Sequence, residues 1–170
     1  MVEKSSRAEM REDITNPSEQ EVQHISELKM NLQTVIIERE FLQPREVIFR
    51  AFVNPEITSQ WMAPDGYDCI VNILEPFVGG KQKTVFRDQS GLDAITEGTV
   101  LEFVENEMIY YDFYIEFGEM KIEGLSNRLI FSETTNGTKV TVDTKVPEGE
   151  FAEGCVIGWN QSFDNLEKIL

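Results

Sequence analysis

The stretch Glu150–Leu170, EFAEGCVIGWNQSFDNLEKIL, decides the fold because it follows a long run of strand-like sequence. Its apolar side chains recur every three or four residues, which predicts one long helix with an apolar stripe: Phe151, Cys155, Val156, Trp159, Phe163, Leu166 and Leu170. Gly154 and Gly158 lie beside this stripe, and a glycine inside a helix costs roughly 1 kcal/mol relative to alanine. We therefore expect another element or a ligand to approach the helix closely there. A long helix packed over a sheet can enclose a binding space.

The composition excludes several classes of function. The chain has 170 residues, with 15 basic and 31 acidic side chains and a net charge of −16. This charge repels nucleic acid phosphates and anionic membrane surfaces, so no nucleic acid partner and no membrane partner is expected. No run of eighteen apolar residues occurs, and the N-terminus has no apolar signal segment. A cytoplasmic protein with one core is the expectation.

The two cysteines, Cys69 and Cys155, are expected to be free thiols. The cytoplasm is reducing, and their spacing fits no metal-binding motif. No metal and no cofactor is expected.

Residues 1–31 differ in composition from the rest of the chain. They contain seven acidic and four basic residues, the single histidine His24 and no aromatic residue. Such a segment has little apolar surface to bury, so a partly disordered N-terminal tail is expected, with the domain spanning residues 32–170. Asn16 and Pro17 could begin a short helix within this tail.

The domain pattern begins with a strand and two short helices. Alternation predicts a strand over residues 33–41, and a helix follows from Pro44. Asn54 and Pro55 begin a second helix that ends near Trp61. Six further strands are predicted with turns between them, over residues 67–75, 80–88, 94–105, 108–117, 124–133 and 137–146. The order predicts an α+β domain with a seven-stranded antiparallel sheet.

Two features of the later strands shape this prediction. Asn136 and Gly137 form the sharpest turn signal, because Asn-Gly supplies the positive φ angles of a tight hairpin. The strand 108–117 carries more aromatic bulk on one face than a small flat core usually accepts. The sheet is therefore expected to be curved, with its concave face towards the final helix.

Four segments, in order, resemble one family. They are QWMAP at residues 60–64, EPFVGG at 75–80, EGTVLE at 97–102, and the GW-to-Leu run at 158–166. The chain from Thr34 to Leu170 is similar to START-like (SRPBCC, helix-grip) proteins, in the branch of homologues of the activator of heat-shock protein 90 ATPase. The resemblance implies a helix-grip fold, a curved seven-stranded antiparallel sheet wrapped around a long C-terminal helix, with two short helices after strand 1.

The same resemblance implies a cavity between sheet and helix, which binds a small apolar or amphipathic molecule. The residues expected to contact it are Trp61, Tyr111, Phe113, Ile115, Phe117, Cys155, Val156, Trp159 and Phe163. Each of them could instead pack the core, and Trp159, central in the stripe, is expected to be among the most buried residues. Tyrosine hydroxyls, at residues 67, 110, 111 and 114, are the expected polar contacts.

No catalytic constellation is visible. His24 lies in the tail, Cys155 lies on an apolar stripe that raises a thiol pKa, and the strand carboxylates show no pairing motif. Arg50, Arg87 and Arg128 are the cations expected near the cavity mouth. A binding module is therefore favoured over an enzyme. The alternative is a co-chaperone-like interaction protein with a chaperone partner; the oligomeric state stays open.

Overall fold

The computed structural model describes residues 30–170. Residues 1–29 of the predicted tail, with its helix start at Asn16 and with His24, lie outside the described residues. The elements in chain order are β1 (Leu32–Phe41), α1 (Arg45–Val53), α2 (Pro55–Thr58), β2 (Tyr67–Leu74), β3 (Lys81–Asp88), β4 (Asp93–Val104), β5 (Met108–Phe117), β6 (Met120–Glu133), β7 (Thr138–Pro147) and α3 (Glu150–Ile169).

All seven strands form one antiparallel sheet in the order β1-β7-β6-β5-β4-β3-β2. The first strand pairs with the last, from Leu32 opposite Pro147 to Phe41 opposite Thr138. The other neighbours are joined by short connections, as the turn signals predict. Register shifts in β2, β4 and β5 increase the local twist and bend the sheet. The predicted curved seven-stranded sheet with a C-terminal helix and two short helices after strand 1 is confirmed.

The two short helices pack on the sheet through Trp61. Asn54 caps α2, because its side-chain oxygen accepts from the amide N–H groups of Glu56 and Ile57 at 2.9 and 3.4 Å. Trp61 then lies with its ring 4.7 Å from that of Phe52, and its indole nitrogen donates to the carbonyl oxygen of Ala51 at 3.0 Å. With only 1% of its surface exposed, Trp61 is part of the core.

The C-terminal half of α3 is the half that packs tightly. Of its four buried residues, Ser162, Phe163 and Leu166 lie in this half. The Phe163 ring meets Phe41 of β1 edge to face, with centroids 5.7 Å apart. On the outer side, Arg39 of β1 bonds Asp164 at 2.9 Å. These contacts attach the helix to the β1 end of the sheet.

Trp159 is not among the most buried residues, and that prediction was wrong. It lies in the N-terminal half of α3, where only Ala152 is buried. The apolar stripe runs along the whole helix, but the curved sheet packs closely only against its C-terminal half. The indole therefore contacts the core on one side, through Phe163 at 5.5 Å between ring centroids, and open space on another.

The turn at Asn136 and Gly137 forms, but for a different reason from the predicted one. Neither residue has a positive φ. The Thr134 N–H donates to the Gly137 carbonyl, and a Cβ at Gly137 would overlap the backbone of Phe41 and Leu42. Glycine is required by the close approach of the end of β1. A left-handed turn residue does occur at Asn106, with φ 62°, in the β4–β5 hairpin.

Candidate functional site: a cavity between the sheet and the C-terminal helix

A cavity of about 500 Å³ lies between the concave face of the sheet and the N-terminal half of α3. Strands β2 to β7 form its floor, and one face of α3 covers it through Phe151, Gly154, Cys155, Gly158, Trp159 and Ser162. Several lining residues are also exposed to solvent, including Tyr67 (36%), Ile73 (37%) and Met120 (44%). These residues mark an opening on the side of β2 and the β5–β6 hairpin.

Eight aromatic side chains contribute to the lining: Phe52, Tyr67, Phe86, Tyr111, Phe113, Phe117, Phe151 and Trp159. The rings of Tyr111 and Phe113 lie 5.9 Å apart and are tilted to each other. Phe113 is only partly buried although it lies on the concave face. The aromatic face predicted for β5 therefore does not meet the helix fully, and the gap between them is the cavity.

Six of the nine predicted site residues line this cavity: Tyr111, Phe113, Ile115, Phe117, Cys155 and Trp159. They come from two elements only, β5 and α3. Alternation along β5 places its four residues on the concave face, and the spacing of four places Cys155 and Trp159 on one face of the helix.

The other three predicted residues lie in the core. Trp61 packs on Phe52 beneath the short helices, and Phe163 is completely buried between β1 and the helix. Val156 is partly buried against the same core cluster. On a helix, Val156 and Phe163 share one face, and Cys155 and Ser162 share a neighbouring face. The first face packs on the core and the second lines the cavity.

At the two helix glycines, the structure shows no close approach of another element, which was one of the two expected reasons for them. A Cβ at Gly154 would meet no atom within 4 Å, so no other element approaches this residue closely. A Cβ at Gly158 would lie 3.7 Å from the Pro64 side chain, which is ordinary contact. Both glycines line the cavity. Gly154 is exposed and Gly158 is partly buried, so neither glycine serves tight packing of the helix on another element.

A first polar cluster on the floor, centred on Gln82, was not predicted. The Gln82 amide nitrogen donates to Thr84 at 3.1 Å and to Thr96 at 3.0 Å, and Thr84 donates to Asn72 at 3.4 Å. Gln82 and Thr84 alternate with Lys81 and Lys83 along β3, so polar residues at inward positions were the available signal.

A second polar cluster lies on β5, β6 and β7. Asn127 is opposite both Tyr111 and Thr144 in the sheet register, and its amide nitrogen donates to the Tyr111 hydroxyl at 2.9 Å. Burial raises the pKa of Tyr111 to about 12, so its hydroxyl stays protonated at neutral pH. Of the four tyrosines proposed as polar contacts, this is the one that is buried in the cavity.

The other tyrosines divide between the mouth and the outer face. Tyr67 lines the opening. Tyr110 lies beneath the Arg128 guanidinium at 4.2 Å, and Tyr114 lies beneath the Lys121 ammonium at 4.1 Å. Both are on the convex side of β5, because strand residues alternate between faces.

No lysine, arginine or histidine lines the cavity in the part of the chain that the structure describes. Arg50, Arg87 and Arg128 were expected near its mouth, but none of them lines the cavity, and Arg50 lines a separate pocket. Arg87 pairs with Asp93 at 2.7 Å and Arg128 pairs with Glu102 at 3.1 Å, both on the surface of the sheet. The charged lining residue is Glu150, at the start of α3.

Both cysteines are free thiols. Burial raises the pKa of the Cys155 thiol above its ordinary value, and the same holds for Cys69. A thiol with a raised pKa is largely protonated at neutral pH and is a weak nucleophile. Residues 30–170 contain no cluster of three or more side chains suited to a metal ion, and none of their helices is long and apolar enough to cross a membrane.

A curled antiparallel sheet that holds a C-terminal helix over an internal cavity defines a START-like helix-grip protein. The family model for "Activator of Hsp90 ATPase homolog 1-like protein" matches residues 43–170, and the chain belongs to this family.

Solved structures with the same fold support this assignment. Protein CV1439 from Chromobacterium violaceum is 26% identical, with a TM-score of 0.69 over 80% of this chain and 95% of that one. A putative uncharacterized protein from Rhizobium leguminosarum is 27% identical, with a TM-score of 0.71 over 81% and 93%. A Staphylococcus epidermidis protein shares the fold at 23% identity, with a TM-score of 0.68 over 84% and 93%. A search of curated proteins gave no significant match.

Proposed function

We propose that this protein binds a small apolar or amphipathic molecule in the cavity under α3. The observation that carries the proposal is the unfilled space of about 500 Å³ beside an aromatic lining. Protein interiors are normally close-packed, and binding pockets for small molecules span roughly 300–1,000 Å³. The volume therefore fits a ligand site better than a packing defect.

The lining favours binding over chemistry. Among the residues that the structure describes, the cavity offers neither a carboxylate pair nor a histidine, and its thiol is protonated. Apolar side chains can bind a ligand by removing its surface from water at about 25 cal/mol per Å². Such a site needs no covalent step, and carriage or sequestration of the ligand is the function it supports.

Gly154 provides a matched test of this proposal. Gly154→Leu adds a side chain where open space surrounds the glycine, whereas Gly154→Ala changes the helix backbone in the same way with little added bulk. Both variants should be more stable than the wild type by about 0.5–1 kcal/mol, since glycine is unfavourable inside a helix. Diphenylhexatriene, an uncharged probe that fluoresces in apolar surroundings, measures occupancy of the cavity.

We expect the wild type and Gly154→Ala to bind the probe with equal affinity. Gly154→Leu should bind it about tenfold more weakly, because the added methyl groups compete with the probe for volume. Binding should also change the fluorescence of Trp159 and raise the melting temperature with probe concentration by mass action. Equal binding by all three proteins, or no binding at all, would contradict the proposal.

The alternative is a co-chaperone-like interaction, and the family description is what supports it. It requires no ligand in the cavity. Stimulation of the ATPase of a heat-shock protein 90 chaperone, measured with increasing amounts of this protein, tests it. Equal stimulation by the wild type and Gly154→Leu, with no probe binding by either, would favour this alternative.

A further inference from the structure

Three residues that line the cavity each have a buried polar atom without a hydrogen-bond partner: Gln82 Oε1, Asn127 Oδ1 and Thr144 Oγ1. Their residues are 5%, 7% and 1% exposed, so bulk water does not reach them freely. Buried polar groups in folded proteins are normally hydrogen-bonded. A polar group of a ligand that reaches these three residues would supply the missing hydrogen bonds.

The hydrogen bonds already made by Gln82 and Asn127 determine which of their donors and acceptors remain unpaired. Both N–H groups of the Gln82 amide are used by Thr84 and Thr96, which leaves its carbonyl oxygen as a free acceptor. The Asn127 nitrogen donates to the Tyr111 hydroxyl, which leaves the Asn127 carbonyl oxygen as a second free acceptor. Two residues of the cavity lining, on different strands, therefore each retain an unpaired acceptor oxygen.

The second cluster also retains hydroxyl protons. The Tyr111 oxygen accepts from Asn127, so its own O–H remains able to donate. Thr144, opposite Asn127 on β7, has the Cys155 thiol as a neighbour but makes no hydrogen bond of normal geometry. A group that both donates and accepts, such as a hydroxyl or a carboxamide, matches this cluster.

The charge of the cavity lining favours neutral ligands over anions. The described lining contains no cation, its charged residue is Glu150, and the chain carries a net charge of −16. A carboxylate placed beside two carbonyl oxygens would lose its hydration and gain no opposite charge. The site therefore disfavours fatty acids and other anionic amphiphiles, although its apolar surface suits their chains.

We propose that the cavity selects an uncharged molecule with an apolar or aromatic body and a head group that donates hydrogen bonds to Asn127 and Gln82. This inference rests on the proposed ligand-binding function and adds the chemical class of the ligand. The head group is a hydroxyl or an amide.

A series of biphenyl compounds tests the head group with the body held constant. The four probes are 4-phenylphenol, 4-methoxybiphenyl, biphenyl-4-carboxamide and biphenyl-4-carboxylate. Each is titrated against the cavity-bound diphenylhexatriene at pH 7.5, where the carboxylate is ionised. The phenol has an O–H donor where the ether carries a methyl group. The amide is neutral and has N–H donors, whereas the carboxylate is charged and has none.

We expect the phenol to displace the probe at a concentration about tenfold lower than the ether requires. The amide should likewise act at a concentration about tenfold lower than the carboxylate requires. Equal affinities within each pair would overturn the inference. So would tighter binding of the carboxylate or the ether. If diphenylhexatriene itself does not bind, the proposed function fails as well, so the two failures are distinguishable.

Substitutions then test whether the unpaired oxygens of Gln82 and Asn127 cause the preference for phenol over ether. Gln82→Met and Asn127→Leu should each reduce the preference for phenol over ether several-fold, with the preference taken as the ratio of the two affinities measured in the same variant. Gln161→Met makes the same chemical change outside the cavity, where the Gln161 oxygen accepts from the Asp65 N–H at 3.1 Å, and should keep the full preference. An unchanged preference in both cavity variants would contradict the assignment. Should a variant not fold, the biphenyl series on the wild type still decides.

Discussion

The buried hydroxyl of Thr144 gives a prediction that can be worked out in magnitude. Thr144 is 1% exposed, lies on β7 between the buried Val142 and Val146, and makes no hydrogen bond of normal geometry, with the Cys155 thiol as its polar neighbour. A hydroxyl buried without a partner costs about 1–3 kcal/mol in protein mutational data. Thr144→Val keeps the shape of the side chain and removes the hydroxyl, and valine is at least as favourable in a strand.

Thr144→Val should therefore be neutral or stabilising, by up to about 1 kcal/mol, since water in the cavity can offset part of the cost in the wild type. Thr58→Val is the matched control. Thr58 is 0% exposed, and its hydroxyl lies 2.8 Å from the carbonyl oxygens of both Ala51 and Asn54. Its loss should destabilise the protein by about 1–3 kcal/mol.

Urea unfolding followed by circular dichroism measures both changes. The slope of free energy against urea should stay constant, so that shifts of the midpoint report stability alone. In thermal unfolding, 1 kcal/mol corresponds to about 2–4 °C at this chain length. A loss of more than 1 kcal/mol in Thr144→Val would show that its hydroxyl is bonded and would refute the reasoning about the polar cluster.

Three further predictions concern burial, titration and the N-terminal residues. Trp61→Ala should cost about 3–5 kcal/mol, and Trp159→Ala about half as much because its indole borders the cavity; equal losses in urea unfolding would contradict this difference. Burial raises the pKa of Tyr111 from 10.0 to about 12, so the folded state holds this proton more tightly, and the associated stability is complete below pH 10 and lost as the pH rises towards 12. The loss should reach about 3 kcal/mol and be absent in Tyr111→Phe, as judged by unfolding at a series of pH values. Removal of residues 1–15 should leave the melting temperature within error, since their composition offers little apolar surface to bury; a fall of several degrees would show that they stabilise the domain.

Local patterns in the chain were enough to predict its architecture. Strand alternation, turn residues and the stripe of Glu150–Leu170 predicted seven antiparallel strands and the final helix, with most boundaries within two residues. These patterns are local, because side-chain periods of 2 and 3.6 follow from backbone geometry alone. The same patterns predicted which face of β5 and of α3 is apolar.

The tertiary structure decided which apolar residues are packed and which surround open space. The sequence analysis assigns Trp61 and Trp159 to the same group of expected ligand contacts. In the structure Trp61 lies in the core and Trp159 borders the cavity, because the curved sheet meets only half of α3. The polar clusters of Gln82 and Asn127 depend equally on register, which brings residues from different strands together across the sheet. Sheet curvature and strand register are set by contacts between distant segments, so no local period could have shown the cavity or its unpaired acceptors.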